Sequence, residues 1–396
     1  MKHTFIFILA ILLTASCTTK KNDKHPIEKI DLTSGIEKDE KVNLSTITDD
    51  IECVKLETND KCLVGNISRT MLKDSLIILK DNLEQLFIFN TKGKCILKLN
   101  RKGQGPQEYT AISNFDVSLK NKLIYIHDGS AQKIIIYDFK GEFKRYKNMN
   151  GIYPIDLKIW NDSIIALIFP KVTLESSDYY RLKLYNSNID FIKNVHKVKA
   201  EKINYSPNSG SWVKLIPSKS ELTYWESLND TVFTYDGNQV DSHFVFDAGK
   251  YQSSEKERMG DPIKLSNKGK DIIDISSFRE TPTYIFVELT YGRYGRNILY
   301  NKSKKSGSNI VFNYDFYDVG FHNDIDGGIP FWPKGQDVTT GVLYDYISPY
   351  KLKELVENPY FKTIKISNPA KHKQLMSILN AAKLEDNPLF FIIKPN

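Results

Sequence analysis

Residues 74–95 read DSLIILKDNLEQLFIFNTKGKC, and residues 121–143 repeat that pattern as NKLIYIHDGSAQKIIIYDFKGEF. The two segments start 47 residues apart (74 and 121) and end 48 residues apart (95 and 143). Each contains two apolar runs rich in β-branched residues, with a polar turn between them and a glycine turn after them. Such runs, bounded by Asn, Asp and Gly, predict strands joined by tight turns. The repeat unit is therefore strand, turn, strand, glycine turn and strand.

Three fainter copies of this unit follow at residues 162–191, 230–237 and 284–301. Repeats of about 40–50 residues are typical of propeller blades, each of which is a four-stranded antiparallel sheet. Neighbouring blades cover both faces of each blade, so long apolar strands fit this architecture. No long amphipathic helix separates the strands, which disfavours a parallel α/β sheet. We therefore predict an all-β propeller.

The end of the chain has a different pattern. Apolar residues at i, i+3, i+4 and i+7 predict a short C-terminal helix that begins at Pro369, and these residues are Leu375, Ile378, Leu379 and Ala382. A final apolar strand follows at residues 389–393. Because a terminal strand commonly completes a blade begun at the other terminus, we expect residues 51–56 or their neighbours to pair with it.

The beginning of the chain predicts export. Lys2 and His3 precede a nine-residue apolar run at residues 5–13, and small residues then lead to Cys17. Nine residues span about 14 Å as a helix, roughly half of a bilayer core. This pattern is typical of an export signal rather than a spanning helix. We divide the chain into a signal at 1–16, a tether at 17–42 and the propeller at 43–396.

Composition restricts the partners and the cysteine chemistry. The 396 residues include 55 basic and 48 acidic side chains, a net charge of +7, without a dense basic block that contains aromatic residues. Nucleic acid is therefore not an expected partner. Besides Cys17 there are three cysteines. Cys53 and Cys62 can form a bridge across a hairpin, or Cys53, Cys62 and Cys95 can all be buried thiols; we favour the buried thiols.

Several motifs resemble a known family. GQGPQEY at residues 103–109, FDV at 115–117 and YDFKG at 137–141 resemble one NHL-type propeller repeat. With the export signal, the chain resembles the six-bladed β-propeller lipoproteins of Bacteroidota. That family shares a similar glycine loop, a late segment matched here by NDIDGGIPFWP at 323–333, and a final strand matched by EDNP at 385–388.

The resemblance implies six blades of four antiparallel strands and a lipid on Cys17. It also implies an outer-membrane lipoprotein, and the lysines of the tether favour the periplasmic face over the cell surface. Two residues depart from the family pattern: Gln107 replaces a glycine of the loop, and Thr14 stands where Leu or Val is usual. The family has no settled activity.

Two segments are candidates for ligand contact. In the loop from Arg101 to Tyr109, the glycines allow main-chain amides to approach a ligand. The alternative is a crossover between blades with Tyr109 packed beneath it. In YGRYGR at residues 291–296, Arg293 and Arg296 can present cations to an anionic ligand, or the segment can be an ordinary hairpin turn. We favour the structural alternative for both segments.

A second pair of candidates lies near residue 330. Asp324 and Asp326 offer two carboxylates beside two glycines, the ingredients of a Ca²⁺ site, although an Asp-Gly-Gly turn explains them equally simply. Trp332 is either a sugar-stacking platform or a hydrophobic plug. For both features the structural explanation is favoured.

Three triplets have the pattern Asp, hydroxyl residue, aliphatic residue. It resembles the O-glycosylation sequon of exported Bacteroidota proteins, and the hydroxyl residues are Ser75, Ser163 and Thr231. Asp-Ser is also a good turn before a strand, and we place the three triplets at equivalent positions of the repeat. Both interpretations can hold together, because exposed turns are where a glycan is attached.

These observations favour binding over catalysis. The sequence contains no HExxH, GxSxG or P-loop motif. We predict a membrane-anchored scaffold for a partner protein or a glycan or peptide ligand of the cell envelope, with no obligatory cofactor. The alternative is a lactonase- or esterase-type hydrolase that uses a cation on Asp324 and Asp326 at the channel mouth.

Overall fold

Six sheets radiate around a central axis. The computed structural model describes residues 27–169, 178–199, 213–227, 229–252, 273–292, 294–311, 320–359 and 361–396. In these residues each sheet contains four antiparallel strands, which are consecutive in the chain in five sheets and come from both ends of the chain in the sixth. Two of the sheets gain a fifth strand at the edge. The predicted six-bladed β-propeller is therefore confirmed.

The first three blades follow the chain directly. Blade 1 consists of β4 (Ile67–Lys73), β5 (Leu76–Asp81), β6 (Leu86–Asn90) and β7 (Cys95–Leu99). Blade 2 consists of β8 (Asn114–Ser118), β9 (Leu123–Asp128), β10 (Lys133–Asp138) and β11 (Phe143–Asn148). Blade 3 consists of β12 (Asp156–Trp160), β13 (Ile164–Ile168), β14 (Asp178–Asn186) and β15 (Phe191–Lys199). The two best-matched sequence repeats thus belong to blades 1 and 2.

The next two blades have the same plan. Blade 4 consists of β16 (Val213–Pro217), β17 (Leu222–Glu226), β18 (Thr231–Tyr235) and β19 (Val240–Asp247). Blade 5 consists of β20 (Ile273–Glu280), β21 (Tyr284–Tyr291), β22 (Tyr294–Asn301) and β23 (Ser306–Ile310). Residues 230–237 therefore begin at the third strand of their blade, whereas residues 74–81 and 162–167 lead into the second strand.

The sixth blade joins the two ends of the described chain. It consists of β24 (Gly335–Asp337), β25 (Val342–Ile347), β26 (Leu389–Ile393) and β3 (Glu52–Lys55). β26 pairs antiparallel with β3, so that Leu389 faces Lys55 and Ile392 faces Glu52. This is the predicted pairing of residues 389–393 with the region of 51–56. It closes the ring without leaving β26 as a free edge.

The segment before β3 differs from the predicted tether. β1 (Glu28–Asp31) pairs parallel with β19, and β2 (Asp39–Glu40) pairs parallel with β23. Between them, α1 (Thr33–Glu37) places Ile36 in the core beside blades 4 and 5. Residues 28–40 are therefore part of the folded domain, because their backbone groups extend two exposed sheet edges. Tether residues 17–26 lie outside the described residues.

The core is divided among the gaps between blades. Six apolar clusters are found in the described residues, one at each blade-to-blade interface. Both faces of the middle strands are consequently buried: in β5, Ile78 packs toward blade 2 while Ile77 packs toward blade 6. This two-sided burial is the physical reason for the continuous apolar runs in the sequence.

Two C-terminal helices cover the interface of blades 5 and 6. α2 (Pro349–Glu357) and α3 (Pro369–Ala381) lie between β25 and β26 in the chain. Leu375 and Leu379 of α3 are buried in the cluster between these blades, as the periodicity predicted. α2 was not predicted. Short 3₁₀ turns occur at Leu44–Thr46, Gly249–Tyr251 and Phe361–Thr363. None of the described helices is long and apolar enough to cross a membrane.

One disulfide joins Cys62 and Cys95, whose Cα atoms are 6.4 Å apart. Cys53 remains free, and burial raises the pKa of its thiol to about 12. Both sequence interpretations of the cysteines are therefore wrong. The segment that contains Cys62 leads from β3 of blade 6 to β4 of blade 1 and passes beside β7 of blade 1.

Candidate functional site

The innermost strand of every blade lines a central channel. Its walls come from β4, β8, β12, β16, β20 and β24, and it encloses about 550 Å³. Pockets of this size are in the range that holds small ligands. The channel is therefore a candidate site to which all six blades contribute.

Charged side chains dominate the channel wall. The six basic residues that line it are Arg69, Lys73, Lys158, Lys214, Arg279 and Lys334, and the four acidic residues are Asp116, Asp156, Glu288 and Asp337. Basic groups thus exceed acidic groups by two. The lining favours an anionic ligand on charge alone.

Two of the carboxylates are held by blade 1. Lys73 Nζ lies 3.0 Å from Asp116 Oδ1, and Arg69 Nη2 lies 2.8 Å from Asp156 Oδ1. Asp116 Oδ2 also accepts a hydrogen bond of 2.7 Å from the backbone N–H of Ile159 in the next blade. These contacts connect blades 1, 2 and 3, so both carboxylates have a structural role.

The other channel carboxylates are also occupied. Glu288 Oε1 accepts from Arg279 at 2.8 Å and from the indole N–H of Trp332 at 3.1 Å. Asp337 Oδ2 accepts from the backbone N–H of Asp74 at 2.7 Å and from the hydroxyl of Thr340 at 2.8 Å. Lys334 forms an ion pair with a further carboxylate, which does not itself line the channel.

That carboxylate belongs to Asp345, which lies 2.7 Å from Lys334 Nζ. Burial raises the pKa of Asp345, and the Lys334 charge opposes that effect. With this pair, four of the six basic groups of the channel have a carboxylate within 3.0 Å. Lys158 and Lys214 are the two that remain.

Lys158 and Lys214 lie on the neighbouring strands β12 and β16. Among the described residues, the nearest carboxylate oxygen to Lys158 Nζ is Asp156 Oδ1, at 4.0 Å, and it is already bound to Arg69. Lys214 Nζ donates to Ser277 Oγ at 3.0 Å and to the carbonyl of Phe278. Neither lysine has a close carboxylate within the part of the chain that the structure describes.

Burial destabilises the charged form of both lysines. It lowers the pKa of Lys158, an effect that Asp156 opposes. It lowers the pKa of Lys214 well below the ordinary lysine value, and the charge of Arg279 acts in the same direction. The charge of Lys158 lowers the pKa of Lys214 further. The two ammonium groups therefore repel each other across the channel wall.

The glycine loop at residues 101–109 is held by hydrogen bonds from blade 2. Tyr109 is fully buried, and its hydroxyl donates to the Glu84 carbonyl at 2.8 Å. Lys133 Nζ donates to the Glu108 carbonyl at 2.7 Å, and the Tyr137 hydroxyl donates to the Gln107 carbonyl at 2.7 Å. The loop is thus placed as a crossover with Tyr109 beneath it. Arg101 is exposed on its outer side.

Asp324 and Asp326 are directed to different partners. The Asp324 carboxylate accepts from the backbone N–H and the hydroxyl of Ser45, at 3.0 and 2.6 Å. Asp326 is buried and accepts from the Asn323 amide at 2.7 Å and the Gly328 N–H at 2.8 Å. Burial raises the pKa of Asp326. Neither carboxylate lines the channel, and the described residues contain no group of three His, Cys, Asp or Glu that could hold a metal.

The aromatic and arginine candidates have packing partners. Trp332 is 6% exposed, and its ring lies 5.6 Å from Phe286 and 5.9 Å from Phe321. Arg296 Nη1 donates to Asp39 Oδ1 of β2 at 3.1 Å. It therefore fastens the added edge strand on the outside of blade 5, away from the channel. Arg293 lies outside the described residues.

The three hydroxyl candidates do not occupy equivalent positions. Ser75 and Ser163 are exposed in turns between the first and second strands of blades 1 and 3. Thr231 begins the third strand of blade 4 and is only partly exposed. Successive turns of an antiparallel blade lie at opposite ends, so Thr231 is on the other face of the ring. Cys17 lies outside the described residues.

The channel residues were not among the sequence candidates. A signal was present: most first strands carry a charged residue within a largely apolar run, as in DLKIW at residues 156–160 and VKLIP at residues 213–217. We recognised the repeats from their second strands onward. The shared inward direction of the first strands appears only when the blades are arranged in a ring.

Comparison with known proteins shows the family of the chain and supports its fold. A family model described as a domain of unknown function, DUF4934, matches residues 27–394. The chain belongs to the DUF4934 family. The DUF4934 match begins one residue before β1, which supports the inclusion of the edge strands in the domain.

A solved structure resembles this DUF4934 chain in fold. A crystal structure of a Bacteroides fragilis protein for which export has been inferred is 16% identical, covers 93% of this chain and 99% of its own, and has a TM-score of 0.67. A member of the DUF4221 family from Bacteroides vulgatus is 12% identical over 65% of this chain and 83% of its own, with a TM-score of 0.45. No curated protein matches the sequence. At 16% identity, the likeness to the Bacteroides fragilis protein concerns the fold alone.

Proposed function

We propose that this chain is an exported propeller that binds a ligand in its central channel and acts as a binding scaffold in the cell envelope. The observation that carries the proposal is the channel of about 550 Å³ with charged side chains from all six blades. Its carboxylates accept hydrogen bonds from the protein itself, as Asp116 and Glu288 do, so they serve the frame rather than proton transfer. The ligand is a glycan or peptide group, or part of a partner protein, that reaches the channel mouth.

Export is supported by three independent features. The start of the sequence has the pattern of an export signal that ends at Cys17. The Cys62–Cys95 disulfide is typical of proteins that fold in an oxidising compartment. The Bacteroides fragilis relative in fold is itself a protein for which export has been inferred. We propose that a lipid on Cys17 anchors the protein to the outer membrane, on the periplasmic face.

Anchoring and orientation can be tested in cells. We expect Cys17→Ala to move the protein from the membrane fraction to the soluble envelope fraction, whereas Cys53→Ala leaves it in the membrane. Protease treatment of intact cells should leave the wild-type protein uncut if it faces the periplasm. Membrane retention of Cys17→Ala would contradict the lipid anchor, and release of the domain by protease would contradict the periplasmic face.

The binding function is tested by affinity capture from native membranes and on a glycan array. The wild-type chain is compared with Lys214→Glu, which alters the channel, and with Lys140→Glu, which makes the same charge change at an exposed turn. We expect a ligand that wild type and Lys140→Glu retain and Lys214→Glu does not. Capture of nothing by wild type, or equal capture by all three, would refute the channel as the binding site.

The hydrolase alternative has weaker support. Asp324 and Asp326 do not converge, and each already accepts hydrogen bonds from the chain. Metal analysis of the purified protein tests it directly. One bound calcium ion per chain, lost in Asp326→Ala and kept in Asp50→Ala, would favour the hydrolase.

Glycosylation is a separate proposal for the exposed turns. Ser75 and Ser163 are accessible to a modifying enzyme, and each follows an aspartate. Intact-mass measurement of the natively expressed protein should show mass beyond polypeptide and lipid, and Ser75→Ala should reduce it. A mass equal to that of the lipidated polypeptide would refute glycosylation.

A further inference from the structure

The channel has more hydrogen-bond donors than acceptors near Lys158 and Lys214. An ammonium group has three N–H donors. Lys214 uses two of them, on Ser277 and Phe278, while Lys158 makes no hydrogen bond to the described residues. Four ammonium donors on two neighbouring inner strands therefore lack an acceptor in the described part of the chain.

Arg279 adds an unpaired donor to the same wall. Its side chain is 8% exposed, and its two terminal nitrogens bind Glu288 Oε1 and the Lys334 carbonyl, at 2.8 and 2.6 Å. Its buried Nε–H has no acceptor within the described residues. A buried donor without a partner destabilises the fold, and such groups in native proteins call for a physical cause, such as a bound water or ion.

A solvated basic surface does not account for Lys158 and Lys214. Extra basic residues on an exposed face need no partner, because water solvates them. Here burial lowers the pKa of Lys158 and Lys214, which shows that the wall disfavours their charges. Replacing either lysine by an apolar residue would remove that cost. Lys158 and Lys214 are nevertheless present together, although their charges repel each other. A bound anion from outside the chain would offset both the repulsion and the cost of burial.

We propose that the central channel binds a compact oxyanion, a carboxylate, sulfate or phosphate group, between Lys158 and Lys214. This inference rests on the proposed binding function and specifies the chemistry of its ligand. The anion accepts hydrogen bonds from both ammonium groups and supplies negative charge to a wall in which basic residues outnumber acidic residues by two. Arg279 lies beside Lys214 and strengthens the positive potential there.

The volume limits the size of the ligand. A cavity of about 550 Å³ holds a molecule of monosaccharide or amino-acid size, whereas a polymer can only insert an end or a side group. On the side of blades 1 to 3, the basic groups Arg69 and Lys73 are already paired with Asp156 and Asp116. The oxyanion is therefore expected beside blades 3 and 4.

Calorimetry of the full chain tests this proposal with defined probes. The probes are D-galacturonate, N-acetylglycine, sulfate and inorganic phosphate, and D-galactose is the uncharged control. We expect one equivalent of at least one anion to bind, and D-galactose not to bind. Binding of galacturonate or N-acetylglycine alone identifies a carboxylate site and distinguishes an acidic sugar from an acylated amino acid, while binding of all four identifies a general oxyanion site.

Substitutions locate the anion. Lys158→Met and Lys214→Met keep most of the side-chain length and remove the charge, so each should weaken binding about tenfold or more, the effect of one charge-assisted hydrogen bond. Lys140→Met makes the same change on an exposed turn and should have no effect. Anion-dependent thermal stabilisation of wild type, absent with D-galactose, gives a readout that needs no variant.

Different results would refute the oxyanion site and the binding function of the channel. If none of the four anions binds or stabilises wild type at millimolar concentration, or if both Met variants bind as wild type does, the oxyanion site is refuted. A neutral ligand captured from membranes and lost in Lys214→Glu would leave the channel function standing while overturning the anion.

Discussion

Breaking the Cys62–Cys95 disulfide is expected to destabilise the propeller substantially. The bond closes a loop of 33 residues and joins the segment after β3 in blade 6 to β7 in blade 1. In the chain-entropy model, a loop of this length contributes about 3.7 kcal/mol to the free energy of unfolding at 25 °C. The cross-link lies where the ring closes, so its loss loosens the junction between the two ends of the chain.

The magnitude converts to a measurable shift in melting temperature. Unfolding entropy is about 2.1 cal/mol/K per residue, which for the roughly 320 described residues gives about 0.7 kcal/mol/K. A loss of about 3.7 kcal/mol should therefore lower the melting temperature by about 5 °C. The effect is modest in degrees because the domain is large.

Calorimetric melting of oxidised and reduced wild-type protein isolates the cross-link, because no side chain is lost. The double variant Cys62→Ala and Cys95→Ala should melt near the reduced protein. Cys53→Ala is the control, since Cys53 is a free, half-buried thiol whose loss leaves the cross-link intact. Peptide mapping should find Cys62 linked to Cys95. Equal melting of the oxidised and reduced forms, or a map that links Cys53, would refute the reasoning.

Three further changes test other parts of the structure. His127 is 3% exposed, neither ring nitrogen has a hydrogen-bond partner in the described residues, and burial lowers its pKa. Below about pH 6.5 the imidazole therefore binds a proton in the unfolded chain but not in the native state. The free energy of unfolding of the wild type should then fall by up to about 1.4 kcal/mol per pH unit. Urea midpoints at pH 7.5 and 5.0 should differ less in His127→Leu, and an unchanged difference would contradict this role of the buried imidazole. Trp332→Ala should cost about 3–5 kcal/mol if the ring is a plug, and a glycan platform would instead lose binding with little change in chemical denaturation. Asn387 Nδ2 donates to the carbonyls of Glu57 and Cys62 at 2.7 and 2.6 Å, and its Oδ1 accepts from Val64 N–H at 2.9 Å. Asn387→Ala should therefore destabilise the closure by several kcal/mol, at about 1–3 kcal/mol for each buried group left unpaired, whereas Asn59→Ala at an exposed turn should have little effect in the same denaturation assay.

Local pattern was sufficient for much of the fold. The apolar runs at residues 74–95 and 121–143 correspond to the second and third strands of blades 1 and 2, and the periodicity after Pro369 corresponds to α3. The pairing of 389–393 with the region of 51–56 was also predicted, because a closed ring leaves one strand to be supplied by the other terminus. These features depend on neighbours in sequence or on topology.

Contacts between segments far apart in the chain were harder to predict from the sequence. The copy at residues 230–237 was placed one strand out of register, because its Asp-Thr pair resembles the turn before a second strand. β1 and β2 were assigned to the tether because a short parallel edge strand has no distinctive periodicity, and its stability comes from β19 and β23. The disulfide partner of Cys62 was missed because Cys62 lies in a connecting segment, and no local pattern shows that this segment passes beside β7.

Hydrophobic periodicity and turn residues are local properties of the chain, so the blade architecture, the closing strand and the C-terminal helix could be predicted from them. The arrangement of charges around the channel could not, because it depends on how the blades pack. Lys158 and Lys214 are 56 residues apart in sequence (158 and 214), and nothing in either strand alone shows that they share a wall. Radial packing brings the first strand of each blade to one axis, and that convergence creates the channel and its excess of positive charge.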